Sequence, residues 1–430
     1  MQRRTMELVL GLLIWAGLGC AFPGVAHAGD WPGWRGPTGC GTTEEKDLPL
    51  QWDGKSGQGL AWKASLAGTT GYSSPIVWGD RVFVTTSLRQ TPEQVKKKEI
   101  PDHHFVCVQA SDGKVLWKTR IAPGPFEAYM GAYIAPTPVT DGKAVYCWFG
   151  SAVAAAVDFD GKVLWRRELV GEFLKKPQLL NPGICASMVQ YKDTVLVLFE
   201  QGGGGGTLQA WDKTTGEVRW EQKRDKDKCT QCNTTPLLLD IQGHPQLIVL
   251  ASRVLQALDP ADGKPIWWSN AAQGFAASPL YSSGVIYADL GNDRSAVAID
   301  ATGKGDVTET HTKWKFPKAA GQWGSAVADG RYVYRIENPN EVTCRDLSTG
   351  KNVYTQTLQD VSPLASPIST ADGRIYFVGA GKSYVIKGGP KFAILGGGHV
   401  GGWDLGASPA VSGGRIFVRD ADFIYCIGKK

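Results

Sequence analysis

Little in this sequence points to chemistry. Apart from residues 8–18, no apolar run is long enough to approach a bilayer span. The formal net charge is only +5, from 46 basic and 41 acidic residues. The excess is scattered, which excludes the basic stripe of a nucleic-acid binder. Among nine cysteines, Cys229-Thr230-Gln231-Cys232 has no second pair at zinc spacing, and Asn233 rather than His follows it. That excludes a zinc ribbon and a haem-attachment motif. The glycines from Gly202 to Gly206 do not end in Gly-Lys-Ser/Thr, so they are a flexible loop and not a phosphate cradle. Asp289, Asn292 and Asp293 lack the spacing of a calcium loop and read as a turn. Asp102-His103-His104 lies in a charged insertion, 87–104. Two adjacent histidines cannot share one face of a strand, so a solvated loop is expected there and no metal site. The run Lys96-Lys97-Lys98 reads as a solvated face.

What the sequence does have is a repeat. With 54 Gly, 16 Trp and 43% hydrophobic residues it is a globular chain. A small residue, often followed by Pro, opens each unit, at Ser74, Thr137, Ser187, Thr235, Ser278, Ser325, Ser366 and Ser408. A tight turn such as Gly79-Asp80, Asp141-Gly142 or Asp372-Gly373 follows, then a β-branched and aromatic run. These are hairpin signals. Most units close on Gly-Lys-x-x-Trp, as in Gly113 to Trp117, Gly161 to Trp165 and Gly263 to Trp267. A period of roughly 40–50 residues signals a solenoid or propeller. Four strands per unit in meander order is a propeller blade.

The eighth unit stops before its Trp strand, and Leu60-Ala61-Trp62-Lys63-Ala64 resembles the missing piece. The expected fold is therefore an all-β, eight-bladed propeller of four-stranded antiparallel blades, closed by an N-terminal strand. Trp62, Trp117, Trp165, Trp220, Trp267 and Trp314 are expected to dock neighbouring blades. Burying one Trp side chain removes roughly 200 Å2 from water, worth at most on the order of 5 kcal/mol.

Residues 1–28 read as a secretory signal, with Arg3 and Arg4 ahead of an apolar core and Ala26-His27-Ala28 as the cleavage site. The expected organisation is a signal peptide at 1–28, an N-terminal arm at 29–59 and a propeller at 60–430. Cys20 in a faint lipoprotein box is the rival, lipid-anchored reading. Export to a periplasmic or secreted location permits disulfides, and Cys229 with Cys232 is the candidate pair. Cys107, Cys344 and Cys426 occupy equivalent places in separate units, too far apart to bond, and read as buried apolar groups.

The stretch from Ala210 to Trp220, with degenerate copies at Ala257 to Trp267 and Ala298 to Gly303, resembles the tryptophan-docking motif of the pyrroloquinoline-quinone-like repeat superfamily. That superfamily holds quinoprotein alcohol dehydrogenases and BamB-type assembly lipoproteins. Asp30 to Pro37 resembles the opening of exported members from planctomycete-type bacteria. The dehydrogenases hold quinone and Ca2+ with a Glu, an Asn and a catalytic Asp, beside a disulfide between adjacent cysteines. No Cys-Cys dipeptide occurs here, and the acidic triad matches no motif. The resemblance thus implies a non-catalytic scaffold for envelope or secreted proteins. A quinone-dependent oxidoreductase with an atypical axial site is the alternative. No catalytic residue is identified. Loops opposite the tight turns form the expected binding face, with Tyr72, Tyr133, Phe275, Trp323 and Trp403 as the candidate mouth or channel plug.

Overall fold

A computed structural model gives the architecture. It describes residues 29–429 except 128–132, 170–185, 202–204, 226, 228–232, 252, 271–273, 275, 291–294, 317–323, 339 and 403–405. Eight antiparallel sheets follow one another around an axis. Their innermost strands are Ile76–Trp78, Val139–Thr140, Val189–Tyr191, Leu237–Ile241, Leu280–Ser282, Val327–Ala328, Ile368–Thr370 and Ala410–Ser412. The outermost are Val115–Ile121, Val163–Glu168, Val218–Lys223, Pro265–Ser269, Thr312–Phe316, Asn352–Thr357, Ile394–Val400 and Leu60–Ser65. The ring closes where Leu60–Ser65 pairs antiparallel with Phe423–Ile427, Trp62 opposite Cys426. One short helix, Pro92–Lys96, is present among the described residues.

All eight blades carry a register shift between their third and fourth strands, at the position just before the motif's tight turn. A bulge there adds right-handed twist, which the fan of a blade needs. The apolar cores lie between blades. Phe83, Phe105 and Cys107 of the first blade, for instance, meet Val145, Cys147 and Phe149 of the second. Cys107, Cys344 and Cys426 are buried free thiols, and burial pushes each up to about 12.

Five of the outer-strand tryptophans reach from their own blade to the next. The indole Nε1 of Trp62 donates to the Ala110 carbonyl, Trp117 to Phe159, Trp165 to Lys213 and Trp314 to Leu347, at 2.8–2.9 Å. Each ring covers the turn glycine of its neighbour, and Trp220 likewise covers Gly263. Trp267 departs from this scheme. It donates to Gln246 of its own blade at 3.0 Å. Its strand is covered instead by Gly305–Asp306, an excursion of the fifth blade that pairs with it in parallel. The seventh blade has no Trp in its glycine-rich outer strand. It receives Trp52 on Gln51–Asp53, and a Cβ on Gly398 would lie 2.6 Å from that indole.

Residues 29–53 cross the ring as a strap. Trp31 pairs with Val77 of the first blade, and the Pro32 carbonyl accepts from Thr140 of the second. Cys40 packs with Leu237 and Leu239 of the fourth, and its Sγ accepts from Tyr281 N–H of the fifth at 3.3 Å. Arg35 donates to Ala326 of the sixth. Thr42–Thr43 pairs in parallel with Ile368–Thr370 of the seventh, and Glu45 accepts from Gly413 and Gly414 of the eighth. Seven blades are thereby tied to one segment.

Candidate functional site

The eight unit-opening residues meet at the axis. The backbone N–H of Ser74 donates to the Thr137 hydroxyl, Thr137 to Ser187, Ser187 to Thr235 and Thr235 to Ser278. Ser278 donates to Ser325, Ser325 to Ser366, Ser366 to Ser408, and Ser408 back to Ser74. All eight distances fall between 2.8 and 3.0 Å. The result is a closed belt of side-chain-to-backbone bonds running one way round the ring. An innermost strand has no fifth strand to pair with, so its first N–H needs an acceptor. A short hydroxyl on the next blade supplies it.

All the belt residues except Ser325 line a cavity of about 140 Å3. Tyr72, Leu364, Ala276 and Asn233 contribute to its wall, and Trp34 enters it from the strap. Asn233 is 7% exposed, and neither its amide oxygen nor its amide nitrogen has a partner. Arg35, beside Trp34 in the strap, is 2% exposed and sits 5.7 Å from the centre of the Trp34 ring. Its Nη2 donates to the Cys40 and Ala326 carbonyls, while Nε and Nη1 have no acceptor. Burial pulls its pKa down to about 10, against the opposing influence of Cys40 and Asp289.

Of the candidate mouth residues, Tyr72 lines this cavity. Tyr133 does not. It is buried in the cluster between the first and second blades, 5.7 Å from the His103 ring. Phe275, Trp323 and Trp403 lie outside the described residues, as do Cys229 and Cys232. Sequence reasoning missed Trp34, Asn233 and the belt as a cavity lining, although the eight unit starts were visible as a repeated small residue.

Two local expectations are corrected. His103 and His104 are not in a solvated loop. They sit in the strand His103–Gln109, and His103 is fully buried. Its ring stacks on Phe149 at 4.8 Å and bonds Ser151 at 2.7 Å and Ser87 at 3.2 Å. Burial pulls its pKa down to about 3. The charges around it misled, because the strand Arg81–Leu88 continues further than its polar end suggests. Asp289 is likewise no turn residue. It lies in the strand Val285–Leu290, buried, accepting from Tyr287 at 2.5 Å and paired with Arg335. No group of three or more His, Cys, Asp or Glu among the described residues could hold a metal ion. No helix among them is long and apolar enough to cross a membrane.

A quinone with Ca2+ needs carboxylates. Among the described residues, no Asp or Glu lines the axial cavity. The donor set there, hydroxyls and one amide, does not fit that pair of groups.

A family model described as outer membrane protein assembly factor BamB matches residues 101–240 and 306–387. No curated protein matches the chain in sequence. Among solved structures, BamB from Moraxella catarrhalis superposes with a TM-score of 0.59 at 14% identity, covering 86% of this chain and 96% of that one. The computationally designed Ika8 protein gives 0.55 at 9% identity, over 86% and 99% of the two chains. A europium-containing methanol dehydrogenase gives 0.48 at 13% identity, over 92% and 91%.

Proposed function

Because the chain belongs to the family described as outer membrane protein assembly factor BamB, we propose that it acts as a non-catalytic propeller scaffold binding proteins of the cell envelope. The family match carries this reading. The geometry supports it: a hydrogen bond of the axial belt crosses every seam of the closed ring, which gives loops a scaffold of the kind that usually carries binding. Residues 1–28 serve as a signal peptide cleaved after Ala28, and the mature chain works in the periplasm or outside the cell. Lipidation at Cys20 is not required for this role.

The test is affinity capture with the full-length chain in envelope extract after mild cross-linking. Recovery of outer-membrane or assembly proteins above a propeller control supports the scaffold reading. Repeated recovery of nothing above background sinks it. Electrophoretic sizing of the exported product separates cleavage after Ala28 from retention of residues 1–28.

A further inference from the structure

The axial belt leaves chemistry unspent. Each of its eight hydroxyl oxygens accepts one backbone N–H from the neighbouring blade. No hydrogen bond from any of these hydroxyls to a protein acceptor is found among the described residues, so each proton remains available. The eight side chains are between 1% and 9% exposed. Burying such a donor without an acceptor costs about 1–3 kcal/mol. The Asn233 amide adds two N–H donors on the cavity wall, also unmatched.

Charge points the same way. Arg35 makes no ion pair among the described residues, and two of its three nitrogens lack an acceptor. A buried cation without a counter-charge is costly unless something supplies one. Its guanidinium lies 5.7 Å from the centre of the Trp34 ring, and Trp34 is the strap residue that lines the cavity. Among the described residues, no carboxylate lines the cavity to cancel its field. Water alone could satisfy the hydroxyls, but it brings no charge to offset the Arg35 guanidinium, whose burial outweighs the opposing influence of Cys40 and Asp289. An anion answers both.

We propose that the axial cavity binds a small oxyanion, a phosphate or carboxylate group, held by the hydroxyls of the Ser/Thr belt and the Asn233 amide, with Arg35 behind Trp34 supplying the charge. The volume of about 140 Å3 has room for a small anion together with water. The site is independent of any protein partner, so its failure leaves the scaffold reading untouched.

The experiment uses the purified full-length chain, freed of phosphate and carboxylate buffers, at constant ionic strength in chloride. Inorganic phosphate and acetate are titrated separately by calorimetry, with thermal unfolding in parallel. Saturable binding and a rise in Tm are expected for at least one of them, and the pair tells phosphate from carboxylate. Asn233→Leu should weaken binding about tenfold, the scale of losing a hydrogen bond to a charged group. Arg35→Met should weaken it further, and Arg35→Lys should restore part of it. If Arg35→Met does not fold, Asn233→Leu and Arg35→Lys still decide. Absence of saturable binding by both anions overturns the proposal. So does binding that Asn233→Leu leaves unchanged, or a crystal grown with phosphate that shows only water on the axis.

Discussion

Trp117 of the first blade covers Gly161 of the second so closely that a methyl group on Gly161 would sit 2.7 Å from the indole Cδ2. Gly161 also has a φ of +86°, where an L side chain is strained. Fit and backbone conformation therefore demand the same residue. Gly284 separates the two demands: its φ is +79°, yet nothing lies within 4 Å of its would-be Cβ. Gly284→Ala should cost about 1 kcal/mol from strain alone. Gly161→Ala should cost clearly more, and Trp117→Ala about 3–5 kcal/mol. Urea unfolding of the three variants checks the order. Equal losses for the two glycine variants would show that the indole contact adds nothing.

The belt makes a second prediction. Ser278→Ala removes the acceptor of the buried Thr235 N–H, bonded at 2.8 Å. A buried N–H left without a partner costs about 1–3 kcal/mol. Amide exchange should speed up at Thr235 before other inner-strand amides, as read by hydrogen exchange. Ser278→Thr, which keeps the hydroxyl, should leave that amide protected.

A third prediction concerns pH. His103 is neutral in the folded ring, its pKa lowered by burial to about 3, and His104 is lowered to about 4 for the same reason. The unfolded chain protonates both near pH 6.5. Below that point the unfolded state holds more protons, so stability is complete above pH 6.5 and falls as pH drops through the interval down to about 3. His103→Gln removes one of the two contributions. Its denaturation midpoint should lie below the parent's at pH 7, but decline less between pH 6.5 and 4. Parallel curves for parent and variant would count against it.

The quinone alternative is settled by titration of the chain with pyrroloquinoline quinone and Ca2+. Since no carboxylate lines the cavity among the described residues, no change in Tm is expected. A ligand at 100 times its dissociation constant would stabilise the fold by about 2.7 kcal/mol. A saturable spectral change with that stabilisation would reinstate the oxidoreductase reading.

Much of the ring was legible because its signals are local. Gly113 and Trp117, or Asp372 and Gly373, lie within one turn of each other in sequence and specify hairpins without reference to the rest of the chain. Trp62 was assigned to the last blade because its own neighbours repeat those of Trp117. The cavity was not legible, because its pairings are distant. Ser74 and Thr137 are 63 residues apart, and Ser408 and Ser74 are 334. Eight small residues read as strand openings, and nothing in them announces a belt. Trp34 and Arg35 were equally opaque, since a strap's destination depends on blades that follow it. Gln246 as the acceptor for Trp267 is a private solution of one blade that a repeat average hides.

The seam has a consequence in time. A chain is made from its N-terminus, so Leu60–Ser65 exists long before Phe423–Ile427, the strand that completes its pairing. Until then an apolar edge carrying Trp62 stands open, and such edges invite wrong partners. Seven blades can stack while the eighth has only its last strand. The ring thus cannot close before Phe423–Ile427 is made, and any chain cut short before Phe423 leaves Leu60–Ser65 unclaimed.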